Sequence, residues 1–298
     1  MNLRSLDTIS RLLCSSSPFC LCLLLLLLLA GAARGSVLES RFAKYGETKV
    51  HYQASGRGEE ALIFVHGWTC DLSFWRAQME GFPAVRVIAL DLPGHGRSDK
   101  PQANYTIAYF ARSIEAVMRD AGVKRAVLVG HSMGTPVIRQ FYRLYPEKTL
   151  GLVIVDGALR LMLPKEQMGP IIARLRSDYN STAPQMVEGM LTPLRDAKLK
   201  GEIRKAMLST PGHVAISAME GMADERVYDK DAIRVPVLAV LAKSPFWPAD
   251  TEQFLRTLAP RLEFYMWPDV SHFLMMEKPR EFNQTVQGFL SKNKLLKT

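Results

Sequence analysis

Gly130-His131-Ser132-Met133-Gly134 directly follows the apolar run Ala126-Val127-Leu128-Val129. The order reads as a strand, a sharp turn and the start of a helix, with Ser132 at the turn. A serine held there points its hydroxyl clear of the sheet. The flanking glycines leave room for a turn too tight for larger neighbours. GxSxG alone is a modest signal, but between a buried strand and an amphipathic segment it is a strong one.

On either side of this turn, strand-like and helix-like runs alternate. Residues 49–54 alternate as a half-buried strand, and residues 61–65, 85–90, 126–129, 152–155 and 235–241 are nearly continuous apolar runs. Such runs suit strands covered on both faces, as in a parallel sheet. Amphipathic segments fall at 72–82, 107–121, 135–145, 251–258 and 279–290. Strand–helix alternation predicts an α/β fold with a doubly wound sheet. The stretch 156–234 has no strand pattern and is too long for a structureless loop, so helices are expected in it. Thr210-Pro211 reads there as an N-cap followed by proline at the first helical position. Seven of the fourteen methionines lie in this stretch. They suit either core packing or a flexible apolar lid.

A serine hydroxyl is a weak nucleophile at neutral pH and needs a base and oxyanion donors. Of the six histidines, His272 follows the strand-like run 262–267, in the loop Asp269-Val270-Ser271-His272-Phe273. Catalytic groups collect in loops at the C-terminal ends of strands in open α/β sheets, so His272 is the candidate base. His51, His66, His95 and His131 read as scaffolding, and His213 falls in the helical stretch. The candidate oxyanion donors are the backbone N–H of Met133, after the nucleophile, and of Trp68, after His66-Gly67. Trp68, Phe74, Trp75, Phe246 and Trp247 are candidates for an apolar lining or for simple core.

Four motifs stand in order: His66-Gly67-Trp68, then 91–98 (Asp-Leu-Pro-Gly-His-Gly-Arg-Ser), then the Ser132 turn, then Ser271-His272-Phe273 ahead of Glu277-Lys278-Pro279. From about residue 41 onward the chain resembles an α/β-hydrolase-fold serine hydrolase of the esterase/lipase type. The resemblance implies a mostly parallel eight-stranded sheet flanked by helices, with a helical cap after the sixth strand. It implies neither metal nor organic cofactor, and a triad in the order Ser…Asp/Glu…His. The family's usual acid follows the seventh strand, where this chain has Ser244 and Pro245. Two aspartates remain open: Asp156, at the end of the sixth strand as in pancreatic-type lipases, and Asp250, which reads as a helix N-cap. The vacancy after strand seven favours Asp156, whose role would be to fix the tautomer of His272.

The N-terminus differs from the rest. Arg4 and Arg11 precede an apolar run at 19–30 containing seven consecutive leucines, followed by Gly31, Ala32 and Ala33. This is the pattern of a signal peptide, with cleavage expected after Ala32 and export to a periplasm or the exterior. The alternative is an uncleaved membrane anchor, for which the run is short of the ~20 residues a span needs. The expected division is a leader at 1–35, a core at 36–158 and 232–298, and a cap at 159–231. Cys14, Cys20 and Cys22 fall in the leader, so Cys70 alone remains and no internal disulfide can form. Loss of Arg4, Arg11 and Asp7 with the leader lowers the net charge of +9 by one. The basic residues are scattered, which argues against nucleic acid as a partner. Asn104, Asn180 and Asn283 lie in N-x-S/T sequons, acceptors only in a eukaryotic secretory pathway.

The expected partner is a small-molecule ester with an apolar part, with no stable membrane span after leader cleavage; nothing in the sequence sets the oligomeric state. The expected activity is carboxylic ester hydrolysis through an acyl-enzyme on Ser132. The alternatives are lactone, amide or C–C bond hydrolysis, perhydrolysis, and a non-catalytic binding protein on the same fold.

Overall fold

The computed structural model describes residues 38–296. The leader, its cleavage after Ala32 and the alternative of a retained anchor lie outside the described residues. Eight strands form one sheet in the order β1-β2-β4-β3-β5-β6-β7-β8. They are β1 (Glu39–Tyr45), β2 (Thr48–Ser55), β3 (Glu60–Val65), β4 (Val87–Leu90), β5 (Arg125–His131), β6 (Thr149–Val155), β7 (Val237–Ala242) and β8 (Leu262–Trp267). β2 runs antiparallel to both of its neighbours, and every pairing from β4 to β8 is parallel. The central strands are covered on both faces, which is why their sequences are apolar throughout.

β1 has no apolar pattern to predict it. Of its residues only Ala43 is buried, and it is held by pairing with β2 across a turn in which Gly46 has φ +58°. The helical run expected at 72–82 is broken. A 3₁₀ turn at Leu72–Trp75, capped by the Asp71 carboxylate on Ser73 N–H, precedes α1 (Arg76–Gly81). α2 (Ile107–Ala121) and α3 (Gly134–Leu144) pack together, while α1 packs on α10 (Pro279–Lys292). The remaining core helices are α8 (Thr251–Leu258) and the single turn α9 (Leu274–Glu277).

Between β6 and β7 the chain forms α4 (Lys165–Ser177), α5 (Tyr179–Leu191), α6 (Ala197–Met207) and α7 (Gly212–Met222). Thr210 does not cap α7: the N-cap residue is Pro211, and Thr210 Oγ1 donates instead to the carbonyl of Thr69, 3.0 Å away. Met207 and Met219 are buried, and Met168, Met186, Met190 and Met222 pack at the edge of the core. α7 is tied to the loops that follow β3 and β4. Trp68 Nε1–H donates to the Ala215 carbonyl at 2.8 Å, and Tyr105 N–H donates to Ser217 Oγ at 2.9 Å. The strand-ward return is clamped by α3, whose Arg139 and Arg143 both pair with Asp231.

Among the described residues no helix is long and apolar enough to cross a membrane. Of the three sequons, Asn104 and Asn180 are exposed. Asn283 is half-buried on α10, and its amide donates to the Ala77 carbonyl at 3.1 Å, so in the folded chain that nitrogen is already engaged.

Candidate active site

Ser132 stands between β5 and α3 with φ +52°, the left-handed region that L-residues avoid. Its N–H is fixed by the Val155 carbonyl at 3.0 Å and its carbonyl by Thr135 N–H at 2.9 Å. The turn closes because its glycines have no side chain. A Cβ at Gly134 would stand 2.5 Å from the Val65 carbonyl oxygen, an approach only glycine permits. A Cβ at Gly67 would stand 3.0 Å from Ser132 Cβ, so the His66-Gly67-Trp68 backbone passes directly over the serine. Met133 is the N-cap residue of α3, at the positive end of the helix dipole.

His272 lies in the loop after β8. Its Nδ1–H donates to Asp156 Oδ2 at 2.6 Å, a charge-assisted geometry. Asp156 follows β6 with φ +42°, and its other oxygen accepts the Ala242 N–H at 2.7 Å at the end of β7. Both carboxylate oxygens are thus held by donors across neighbouring elements, and the carboxylate is almost wholly buried. The His272 loop is fastened on two more sides. Ser271 N–H and Oγ–H both donate to Glu277 Oε1, and the His272 carbonyl accepts from His131 Nε2 at 2.8 Å. The structure therefore brings Ser132, His272 and Asp156 to one end of the sheet.

Asp250 is elsewhere engaged. It is exposed and pairs with Arg160 through both oxygens, at 2.6 and 3.0 Å. It stands at the N-cap of α8 without capping by its side chain. The Arg160 guanidinium holds its carboxyl below the ordinary range.

The motif at 91–98 is a structural knot. Asp91 accepts His51 Nδ1–H at 2.6 Å, Leu72 N–H at 2.8 Å and Arg97 N–H at 2.9 Å. Burial alone would raise its pKa, but these donors outweigh burial and hold it low. His66 donates from Nδ1 to the Gly67 carbonyl and accepts Leu92 N–H at Nε2, which fixes its tautomer and braces the Gly67 turn. Burial depresses the pKa of His66, His95 and His131, that of His95 to about 3, so all three are neutral near the serine.

The aromatic candidates divide. Trp68 is buried, with its indole tied to α7. Trp75 is core, against Phe64 and Phe282, and Phe74 packs on Phe273. Phe246 is 56% exposed, with Trp247 edge-on beside it. Cys70 is buried behind the Gly67 loop, and burial pushes its thiol pKa up. No local sequence pattern marks the Trp68–Ala215 tie or the Thr210–Thr69 bond. Glu277 was visible in its motif, but its hold on Ser271 was not.

A family model described as alpha/beta hydrolase fold matches residues 60–194. The chain has the α/β-hydrolase fold, with the eight-stranded, mostly parallel sheet described above, and is similar to esterases and other hydrolases built on it. Among curated relatives, it is 30% identical over 166 residues to a dihydrolipoyllysine-residue acetyltransferase component of an acetoin cleaving system from Cupriavidus necator. That match takes in 51% of this chain but only 44% of the relative, so the chain spans less than half the relative's length. It is 27% identical to a 2-hydroxy-6-oxononadienedioate/2-hydroxy-6-oxononatrienedioate hydrolase from Paraburkholderia phymatum, covering 82% of this chain and 91% of that one. A thermophilic esterase from Thermogutta terrifontis superposes with a TM-score of 0.75 at 25% identity, covering 87% of this chain and 99% of the esterase.

Proposed function

We propose that the protein is an exported serine hydrolase that cleaves carboxylic esters through an acyl-enzyme on Ser132. The observation that carries this reading is the 2.6 Å bond between His272 Nδ1 and Asp156 Oδ2, in a loop bonded to the residue that precedes Ser132. With Nδ1 occupied, the lone pair of His272 is on Nε2. Nε2 takes the Ser132 proton as Oγ attacks the ester carbonyl carbon. The amides of Trp68 and Met133 hold the resulting oxyanion, where loss of one donor typically costs ~100- to 1000-fold in rate. His272 returns the proton to the departing alkoxide. Water deprotonated by the same nitrogen then releases the acid and restores Ser132. Asp156 keeps the tautomer and stabilises the imidazolium. The esterase similarity supports the ester substrate, and the leader pattern at 1–35 supports export.

Ser132→Ala should abolish turnover of a chromogenic short-chain ester and labelling by a fluorophosphonate while leaving the protein folded. Hydrolysis by that variant at the wild-type rate would refute the assignment. A second reading, hydrolysis of a non-ester substrate by the same residues, is favoured by the likeness to the Paraburkholderia hydrolase. A panel of esters, lactones, amides and 2-hydroxy-6-oxo acids separates the two.

A further inference from the structure

His131 is the second residue of the Ser132 turn, and ester cleavage as set out above gives it no part. Its ring is fully buried and fixed on three sides. The His272 ring centroid lies 4.6 Å away, that of Phe273 5.6 Å away, and the Trp75 ring edge-on at 6.4 Å. Nε2 lies 2.8 Å from the His272 carbonyl oxygen, which can only accept, so Nε2 carries the proton. Nδ1 is buried without a hydrogen-bond partner.

We propose that His131 is a positioning residue that sets the separation of Ser132 and His272 through the Nε2–H···O=C bond to the His272 backbone. His131 is covalently joined to Ser132. One peptide link and one hydrogen bond therefore connect the backbone of the nucleophile to that of the base. His272 is then held twice: by its carbonyl to the turn, and by Nδ1 to Asp156. Two tethers at opposite ends fix where the free Nε2 points, and an offset of ~1 Å at such a group costs on the order of 100-fold in rate.

The proposal rests on the serine-hydrolase reading, and its test separates the two. His131→Gln and His131→Met have similar volume and both lose the aromatic ring, but only glutamine keeps an N–H at the required reach. His131→Met should lower kcat about 30-fold or more with KM within about twofold, and His131→Gln should recover kcat to within about fivefold of wild type. Equal losses in the two variants, or wild-type kcat in the methionine variant, overturn the proposal. Proton NMR gives a readout that needs no turnover. The downfield His272 Nδ1–H resonance, assigned by its loss in His272→Gln, should persist in His131→Gln and broaden or vanish in His131→Met. Its survival in both overturns the positioning role. If the wild-type protein neither turns over an ester nor labels with a fluorophosphonate, the ester reading fails while this pair of spectra still decides the role of His131.

Discussion

Asp156 and His272 are 116 residues apart in sequence, yet their Oδ2 and Nδ1 atoms lie 2.6 Å apart, and the second Asp156 oxygen is anchored on Ala242 at the end of β7. The carboxylate thus reaches the histidine from the sixth strand while being braced by the seventh. In many relatives of this fold type the seventh strand carries the acid itself; here it supplies a backbone N–H.

The acid can be tested by comparing two substitutions. Asp156→Asn should lower kcat by about a thousandfold or more, since the amide favours the wrong tautomer of His272. Asp250→Asn should leave kcat within about twofold and cost little stability, because the Arg160–Asp250 pair is largely exposed. Steady-state kinetics of both variants on one ester decide the matter.

Backbone strain at Ser132 predicts a stability difference between two variants that both lack its hydroxyl. At φ +52° a Cβ is unfavourable by ~1–2 kcal/mol, and glycine is not. Ser132→Gly should therefore be more stable than Ser132→Ala by about 1 kcal/mol after the greater chain entropy of glycine is counted, and so unfold at a higher urea concentration. Urea titrations followed by tryptophan fluorescence measure it.

The tie between Trp68 and Ala215 predicts a link between the loop after β3 and α7. Trp68→Phe keeps most of the packing but removes the indole bond to the Ala215 carbonyl, which retains its helical i+4 donor within α7, at a cost of about 0.5–1.5 kcal/mol. Amide exchange in α7 should quicken, and kcat should fall more than the stability loss alone explains. Unchanged exchange in α7 would sink the idea that this bond docks the helix.

Stability should fall below neutral pH. His66, His95 and His131 are buried and neutral, with pKa values below the ordinary 6.5, that of His95 about 3. In the unfolded chain they protonate near 6.5, so the unfolded state binds more protons between that pH and the folded values. Their contribution is complete above pH ~6.5 and is lost as pH falls, at up to ~1.4 kcal/mol per pH unit for each proton taken up. Unfolding free energies at pH 7.5, 6.5 and 5.5 should drop progressively, and His95→Phe should flatten the slope.

The centre of the sheet was legible because its strands are buried on both faces. β3, β5, β6 and β7 are continuous apolar runs, and the glycines around Ser132 mark a turn that admits nothing larger. β1 was not legible, since a polar edge strand is specified by its partner and not by its own pattern. Ser132 and His272 were candidates because each follows a recognisable strand. The vacancy after the seventh strand favoured Asp156 over Asp250 in the sequence, but local pattern holds no information on which loop returns to the histidine. Tertiary structure places one carboxylate on His272 and the other on Arg160. The bonds of His131, Trp68, Thr210 and Glu277 belong to the same category. Periodicity and steric need are local properties of a chain, whereas the pairing of groups a hundred residues apart exists only once the fold has brought them within a hydrogen bond's length.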